Sequence, residues 1–400
     1  MSAGIRRVLN ALRFYDVNTV SGVSEKTQLA PSAVSRYLKQ LIGKDGPVQK
    51  SKRKGSVIYR PRPDFKAYLV ADYSSIQRRI QCYNYICEPL SDPLTWREET
   101  RQLSAEVVTI SLIDHVSEYL MQVNSPPIAS LAIIFPANIY HDLYSERSDE
   151  LRERKIPLVD YWMDGGLTSL VTAAIAELNI ASLEKAPVQV LRSPVTIFMG
   201  ERWYGKNGKQ RTDHFLVVMM SRMLGCCDSD YPGVYESEHV FYRDPMTSIV
   251  PEAVKNSCFC SVPGCYSAWF SGRSLHSRLQ HVSKATPNKT RAIKKLYDND
   301  ELNLLKAGEF FSQNKAVLGT HIEEMAEAFG HYLGMIQTIW RPHSLVLNGE
   351  LSLLWDLLKD TAYKTFHAYR SKFSETNIEV SSLQERATLL GATRTVAEKN

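Results

Sequence analysis

No run of eighteen apolar residues occurs anywhere in the 400-residue chain, and the charged start Met1-Ser-Ala-Gly-Ile-Arg-Arg offers no apolar signal region. These absences argue against a helical membrane span and a secretory leader, and they predict a soluble cytoplasmic protein with no membrane partner. Cysteine is scarce: seven in all, three of them clustered and two adjacent (Cys226, Cys227). That spacing is not a disulfide framework and fits a reducing compartment. Acidic residues are nearly missing from one end. Residues 1–62 hold 13 Lys+Arg against 3 Asp+Glu, a surplus of ten, which leaves 35 against 40 for the rest of the chain. A small basic module ahead of a mildly acidic body is the electrostatic footprint of nucleic-acid binding through one end. The length exceeds what one core supports and suits two or three domains.

Within the basic end, Ile5, Val8, Leu9 and Leu12 have helical apolar spacing, and a second short helix is expected from about Val20 to Leu29. Pro31 then suits a first helical position, where its missing N–H costs nothing. Val34, Leu38 and Leu41 face inward, leaving Ser32, Ala33, Ser35, Arg36 and Lys39 on the opposite, early face, as in a DNA recognition helix. Val48 to Tyr59 reads as two short strands around a basic turn, the wing of a winged helix-turn-helix, with Lys52, Arg53 and Lys54 set to hold phosphate or enter the minor groove. Each feature alone also describes an ordinary amphipathic helix or a solvated turn. In this order and at these lengths they predict binding to double-stranded DNA, with Arg36 reading bases. Arg60-Pro-Arg-Pro-Asp64 is a stiff, polar connector.

Beyond the connector, Ala67 to Asp72 is expected as a strand ending in a carboxylate, Trp96 to Met121 as one long amphipathic helix, and Ile128 to Phe135 as a buried strand. Leu167 to Leu178 and the segment carrying Ile322, Met325, Phe329, Leu333 and Ile336 are expected helices. Alternating strands and helices argue for an α/β body with covered sheets. Lys284, Lys289, Arg291, Lys294 and Lys295 read as a solvated face.

Glu236-Ser-Glu-His239 is followed, after eighteen residues, by Cys258-Phe-Cys260-Ser-Val-Pro-Gly264-Cys265. Three thiols within eight residues and an upstream imidazole can share one tetrahedral Zn²⁺, with His239, Cys258, Cys260 and Cys265 as ligands. The alternative is a loop of reduced thiols.

These segments resemble, nearly end to end and in order, the ROK family of bacterial repressors and sugar kinases. That family pairs Gly-Glu-x-Gly-His with Cys-x-Cys-Gly-x-x-Gly-Cys, and Glu236, His239, Cys258, Cys260, Gly264 and Cys265 fall in place, while Tyr235, Glu238 and Ser261 depart from it. The Ala30-Pro-Ser-Ala-Val-Ser-Arg36 core resembles the helix-turn-helix of the repressors. The kinases carry Asp-x-Gly-Gly-Thr where this chain has Asp72-Tyr73-Ser74-Ser75-Ile76, so only the aspartate remains. They carry Asn-Asp-Ala-Asn-Ala-Ala-Ala-x-Gly-Glu where this chain runs from Arg192-Ser193 to Gly200-Glu201. Ser193 thereby takes the place of the catalytic base, and Arg192 that of a hexose-binding asparagine. A second phosphate loop of three glycines keeps only Gly225, and Ser267 replaces a sugar-binding glutamate. Asn348-Gly349, where the family has Gly-Gly, and Gly391-Ala392 resemble the family's closing motifs.

The resemblance implies an α/β protein: a winged helix-turn-helix over 1–62, then a two-lobed actin-like (ribonuclease H-like) ATPase-fold body. Its lobes would be 63–190 and 191–400, the latter with a structural zinc loop and a last helix returning to the first lobe. It implies a transcriptional regulator without enzymatic activity, a repressor of carbohydrate-related genes, bound to a near-palindromic operator as a homodimer or homotetramer. Glu236, His239 and Arg192 would face a sugar or sugar-derived effector, with a protein partner as the other possible signal. The competing reading is a divergent ATP-dependent sugar kinase with an accessory DNA-binding head.

Overall fold

The computed structural model describes residues 1–53, 55–74, 77–97, 105–124, 126–135, 166–206, 208–220, 224–228, 266–270, 315–372 and 375–399, with single positions between 274 and 313. Its contacts form two compact units, residues 1–200 with 388–400, and residues 201–387.

The first unit begins with three helices, α1 (Ala3–Phe14), α2 (Val20–Thr27) and α3 (Pro31–Leu41), and a hairpin of β1 (Val48–Arg53) and β2 (Ser56–Pro61). The Ser2 and Thr19 side chains accept the Ile5 and Gly22 N–H groups and so cap the first two helices. Pro31 opens α3. Gln28 ends α2 in the left-handed region at φ 56°, a turn that lets α3 follow at once. Val8, Leu9, Leu12, Val23, Val34, Leu38 and Leu41 are all buried, a small core for a small head.

The same unit holds a five-stranded sheet in the order β5 (Leu94–Arg97), β4 (Gln77–Asn84), β3 (Ala67–Asp72), β6 (Ile128–Phe135), β7 (Val188–Arg192). β3, β6 and β7 run parallel, whereas β4 and β5 are antiparallel to their neighbours. Helices α4 (Ala105–Gln122) and α5 (Gly166–Glu177) cover it, with Val108, Leu112, Val116, Leu167 and Val171 packed against Leu69, Leu131 and Ile133. Trp96 departs from expectation: it lies on β5 opposite Arg78, not in the helix that follows. Its indole stacks on His115 of α4 at 4.0 Å, so its apolar character serves the sheet–helix contact rather than a helical stripe. Helix α6 (Ser193–Tyr204) follows β7 directly.

The second unit repeats the plan. β8 (Phe215–Met220) pairs antiparallel with β9 (Leu224–Asp228) and parallel with β10 (Ser344–Asn348), which pairs parallel with β11 (Asn377–Val380). β3, β4, β6 and β7 have the same relations in the same chain order, the signature of a duplicated fold. Helices α7 (Lys315–Trp340) and α8 (Trp355–Tyr369) bury Met325, Phe329, Leu333, Leu358 and Phe366 against Leu216, Val218 and Leu345. Gly330 lets them approach, since a β-carbon there would lie 2.2 Å from the Ala362 carbonyl oxygen. The chain returns to the first unit through α9 (Arg386–Lys399). Among the described residues no helix is long and apolar enough to cross a membrane.

Candidate functional site

The first candidate surface is on the head. With Val34, Leu38 and Leu41 turned inward, Ser32, Arg36, Lys39 and Gln40 are exposed along the outer stripe of α3, while Ala33 and Ser35 are half-buried. The Arg36 guanidinium lies over the Tyr37 ring, 5.1 Å from its centroid. On β1, Gln49, Lys50, Ser51, Lys52 and Arg53 are all exposed, whereas its partner β2 buries Ile58. Gly55 turns the hairpin at φ 80°, a conformation that favours glycine. Lys54 lies outside the described residues. In the connector, Arg62 donates to the Lys44 carbonyl at 2.7 Å and to Asp64 at 3.0 Å, and its guanidinium holds the Asp64 carboxyl below the usual range. α3 and β1 themselves contain no acidic residue and present donors and positive charge, which is what a phosphate backbone requires.

The second candidate is the carboxyl edge of the five-stranded sheet, where Asp72 ends β3 and Arg192 ends β7. Open α/β sheets bind ligands at this edge. Asp72 is fully buried. One of its oxygens accepts Arg79 Nη2 at 2.6 Å; the other accepts the Ser74 N–H at 2.9 Å and the Ser74 hydroxyl at 2.5 Å. The carboxylate that would serve Mg²⁺ in a kinase is thus already neutralised by a guanidinium. Beside it the Tyr73 ring, 1% exposed, packs 5.7 Å from both Trp96 and Phe135, and the buried Arg78 guanidinium lies 5.0 Å from the same ring and donates to the Tyr73 carbonyl. The first side chain after the aspartate is thus packed into the core, and Ser74, where a phosphate turn of the Asp-x-Gly-Gly type carries glycine, closes back on the carboxylate. Ser193 is half-buried at the junction of β7 and α6, next to half-buried Arg192.

A third set is structural. Glu201 is fully buried, and its Oε1 accepts Asn348 Nδ2 at 3.1 Å and the Ser381 hydroxyl. Asn348 also donates to the Gln384 carbonyl at 3.1 Å. Burial pushes the Glu201 carboxyl up, against the Ser381 hydrogen bond and nearby Arg211, which pull it down. Arg211 itself pairs with Glu379 at 2.5 Å. Gly349, at φ 107°, has no room for a β-carbon, which would sit 2.6 Å from the Met220 carbonyl oxygen.

Glu236, His239, Cys258, Cys260 and Cys265, the expected zinc and effector residues, lie outside the described residues. Tyr266, next after Cys265, is buried, and its hydroxyl meets His331 Nδ1; its ring lies 5.6 Å from that of Tyr332. Arg79 and Glu201 were not among the expected site residues. For Arg79 a signal existed: counting back along a β3–β4 hairpin puts it opposite Asp72, the cross-strand position for an opposite charge.

The model of the ROK family matches residues 240–399, so this part of the chain is similar to that family. The "Putative xylose repressor" of Caldicellulosiruptor sp. (strain Rt8B.4) is 23% identical over 206 residues, 48% of each chain, so the match spans about half the length of this curated relative. A solved ROK family transcriptional regulator, a homolog of the E. coli MLC protein, superposes with a TM-score of 0.70 at 12% identity over 99% of this chain and 97% of its own. A ROK family glucokinase from Streptomyces griseus, solved with glucose and AMPPNP, reaches 0.60 at 17% identity over 84% of this chain and 100% of its own. At these identities the likeness shows the fold: an α/β body of actin-like ATPase type behind a head of helices and strands. The glucokinase fits its full length into 84% of this chain and the regulator covers 99%, a difference of about the head's size.

Proposed function

From a chain similar to the ROK family behind a basic winged head, we infer a DNA-binding transcriptional regulator of the repressor type, acting in the cytoplasm. The observation that carries this reading is the exposed stripe of Ser32, Arg36 and Lys39 on α3, together with the exposed basic strand Lys50 to Arg53 of the same head. The N-terminal part of such a helix reads base edges in the major groove, and the strand holds phosphate. Two copies on a near-palindromic operator supply two such helices, so the protein works as a homodimer or homotetramer. The named repressor relative supports a link to carbohydrate genes, with a sugar or sugar derivative as effector at Glu236, His239 and Arg192.

The body is a sensor without phosphoryl transfer. A kinase needs Asp72 free for Mg²⁺, bare backbone after it and a general base at position 193, a base commonly contributing 10² to 10⁴ in rate. Here Arg79 and Ser74 hold the carboxylate, Ser74 stands where the turn's first glycine would be, and Ser193 replaces the base. The likeness to the glucokinase favours the competing reading of a divergent sugar kinase. A coupled assay with Mg-ATP across hexoses and amino sugars separates the two: turnover supports the kinase, and none supports the sensor.

His239, Cys258, Cys260 and Cys265 would hold a structural Zn²⁺. Three thiolates and an imidazole fit zinc's preference for soft and nitrogen donors. Metal analysis of chelator-washed protein should find one zinc per chain, lost in Cys260→Ser.

The test of the reading is binding to an operator fragment against random DNA. Arg36→Ala should abolish the preference while leaving general affinity in place; loss of both together contradicts the assignment.

A further inference from the structure

The first helix of the head carries an arginine that faces away from the DNA surface. Arg13 is 7% exposed, and its guanidinium donates three hydrogen bonds: to the Tyr85 carbonyl at 2.9 Å, to the Ala397 carbonyl at 2.9 Å and to the Tyr68 hydroxyl at 2.7 Å. The Phe14, Tyr68 and Tyr85 rings surround it, with centroids 4.0 to 5.5 Å away. None of these three acceptors is a carboxylate. A buried cation without an acid is costly unless something else supplies negative potential.

That something is the end of the last helix. Ala397 is within the final turn of α9, where carbonyl oxygens lack intrahelical donors and the helix dipole is negative. Asn10, one turn before Arg13 on α1, donates to the Glu398 carbonyl at 3.4 Å. The first helix of the head therefore caps the C-terminus of the last helix of the chain with two side chains. Arg394 of α9 reciprocates, lying 3.3 Å from the Phe14 ring centroid while paired to Glu398 at 2.7 Å. α9 is itself locked into the first unit at Gly391, where a β-carbon would fall 1.7 Å from the Thr196 carbonyl oxygen.

We propose that Arg13 is a positioning residue for DNA recognition: it clamps the head to the end of α9, to β3 and to the turn after β4, so that the body sets the distance between two recognition helices. Without Arg13 the head keeps the connector and the weaker contacts of Asn10 and Phe14 to α9, and reaches half-sites over a wider range of spacings. The proposal rests on the reading of the head as a DNA-binding module used in two copies.

The experiment compares full-length wild type, Arg13→Met and Tyr68→Phe. Hydrogen exchange is followed over residues 1–62 and, separately, over the body. Affinities are measured for a single half-site and for paired half-sites whose spacing is changed by one to five base pairs. Wild type should lose roughly tenfold or more in affinity off its preferred spacing, as a rigidly held second contact must. Arg13→Met should keep single half-site affinity, show faster exchange in the head alone, and bind over a wider range of spacings than wild type. Arg13→Met with wild-type exchange and wild-type spacing preference overturns the proposal. Should Arg13→Met lose the fold of the whole chain, Tyr68→Phe decides, because it removes an acceptor from the body side and leaves the head's sequence intact. Faster head exchange in that variant supports the clamp, and unchanged exchange overturns it. A wild type that binds no half-site defeats the DNA reading instead, and head exchange alone then decides the clamp.

Discussion

Arg79 Nη2 lies 2.6 Å from Asp72 Oδ2, across the β3–β4 pair and at the carboxyl edge of the sheet, with the aspartate fully buried. The carboxylate at the end of the central strand thus has an internal cation. The ion pair and the Ser74 donors together engage both carboxylate oxygens.

Removing one partner of this pair strands a buried charge. Arg79→Ala should cost about 3–5 kcal/mol of stability in urea denaturation, whereas Asp72→Leu with Arg79→Met together should recover most of that loss. A cost below about 1 kcal/mol, the range of surface pairs, would mean the pair is solvated.

The same geometry predicts no response to Mg-ATP. A nucleotide at 100 times its dissociation constant adds about 2.7 kcal/mol to the folded state and raises the melting temperature accordingly. The expected shift here is zero at millimolar Mg-ATP, and a clear rise contradicts a filled site.

Glu201 gives the pH dependence. Its folded carboxyl titrates above its ordinary value because burial disfavours the charge. Below the ordinary glutamate value both folded and unfolded states are protonated, and the contribution is fully present. As pH rises from there through the raised folded value, the unfolded state ionises first and stability falls. Glu201→Gln, which keeps an acceptor for Asn348 and Ser381, should flatten that fall, seen as wild-type and variant stabilities diverging in the variant's favour with rising pH. Parallel curves would show that Glu201 is not the group responsible.

Gly391→Ala places a β-carbon 1.7 Å from the Thr196 carbonyl oxygen, an overlap that only separation of α6 and α9 relieves. Overpacking of this kind costs about 1–3 kcal/mol. A melting temperature equal to wild type would contradict the close helix contact.

How much of this was legible in the sequence depends on the range of the interaction. The head was, because Val34, Leu38 and Leu41 follow helical period and Pro31 marks the start of α3, both local signals. The strands carrying Asp72 and Arg192 were too, since buried parallel strands read as continuous apolar runs. Trp96 misled, because an aromatic at helical spacing from Leu103 is equally at home on a short edge strand, and only the ladder with Arg78 decides. Arg79 was missed for a different reason: its charge falls opposite Asp72 only once the segment after the turn is taken as a strand paired with β3, and the degraded turn showed what had been lost rather than what replaced it. Arg13 and Glu201 were invisible, since their partners Ala397 and Ser381 are 384 and 180 residues away and meet them only in the folded chain.

On the head, Arg36 and the hairpin should separate specificity from affinity. Arg36→Ala should cost about 1–3 kcal/mol of discrimination between operator and random DNA. Lys52→Ala with Arg53→Ala should weaken binding to both and lower the salt slope by about 0.9 per lost phosphate contact. Equal losses from both variants on all DNA would contradict the division.

The central claim is tested most directly by selecting genomic DNA fragments with the purified full-length protein, with Arg36→Ala as the control. A small set of bound loci sharing a dyad motif, lost in the variant, is the predicted result, and the genes beside those loci would name the effector's chemistry. Fragments bound without sequence preference, or a set unchanged by Arg36→Ala, would contradict the regulator account.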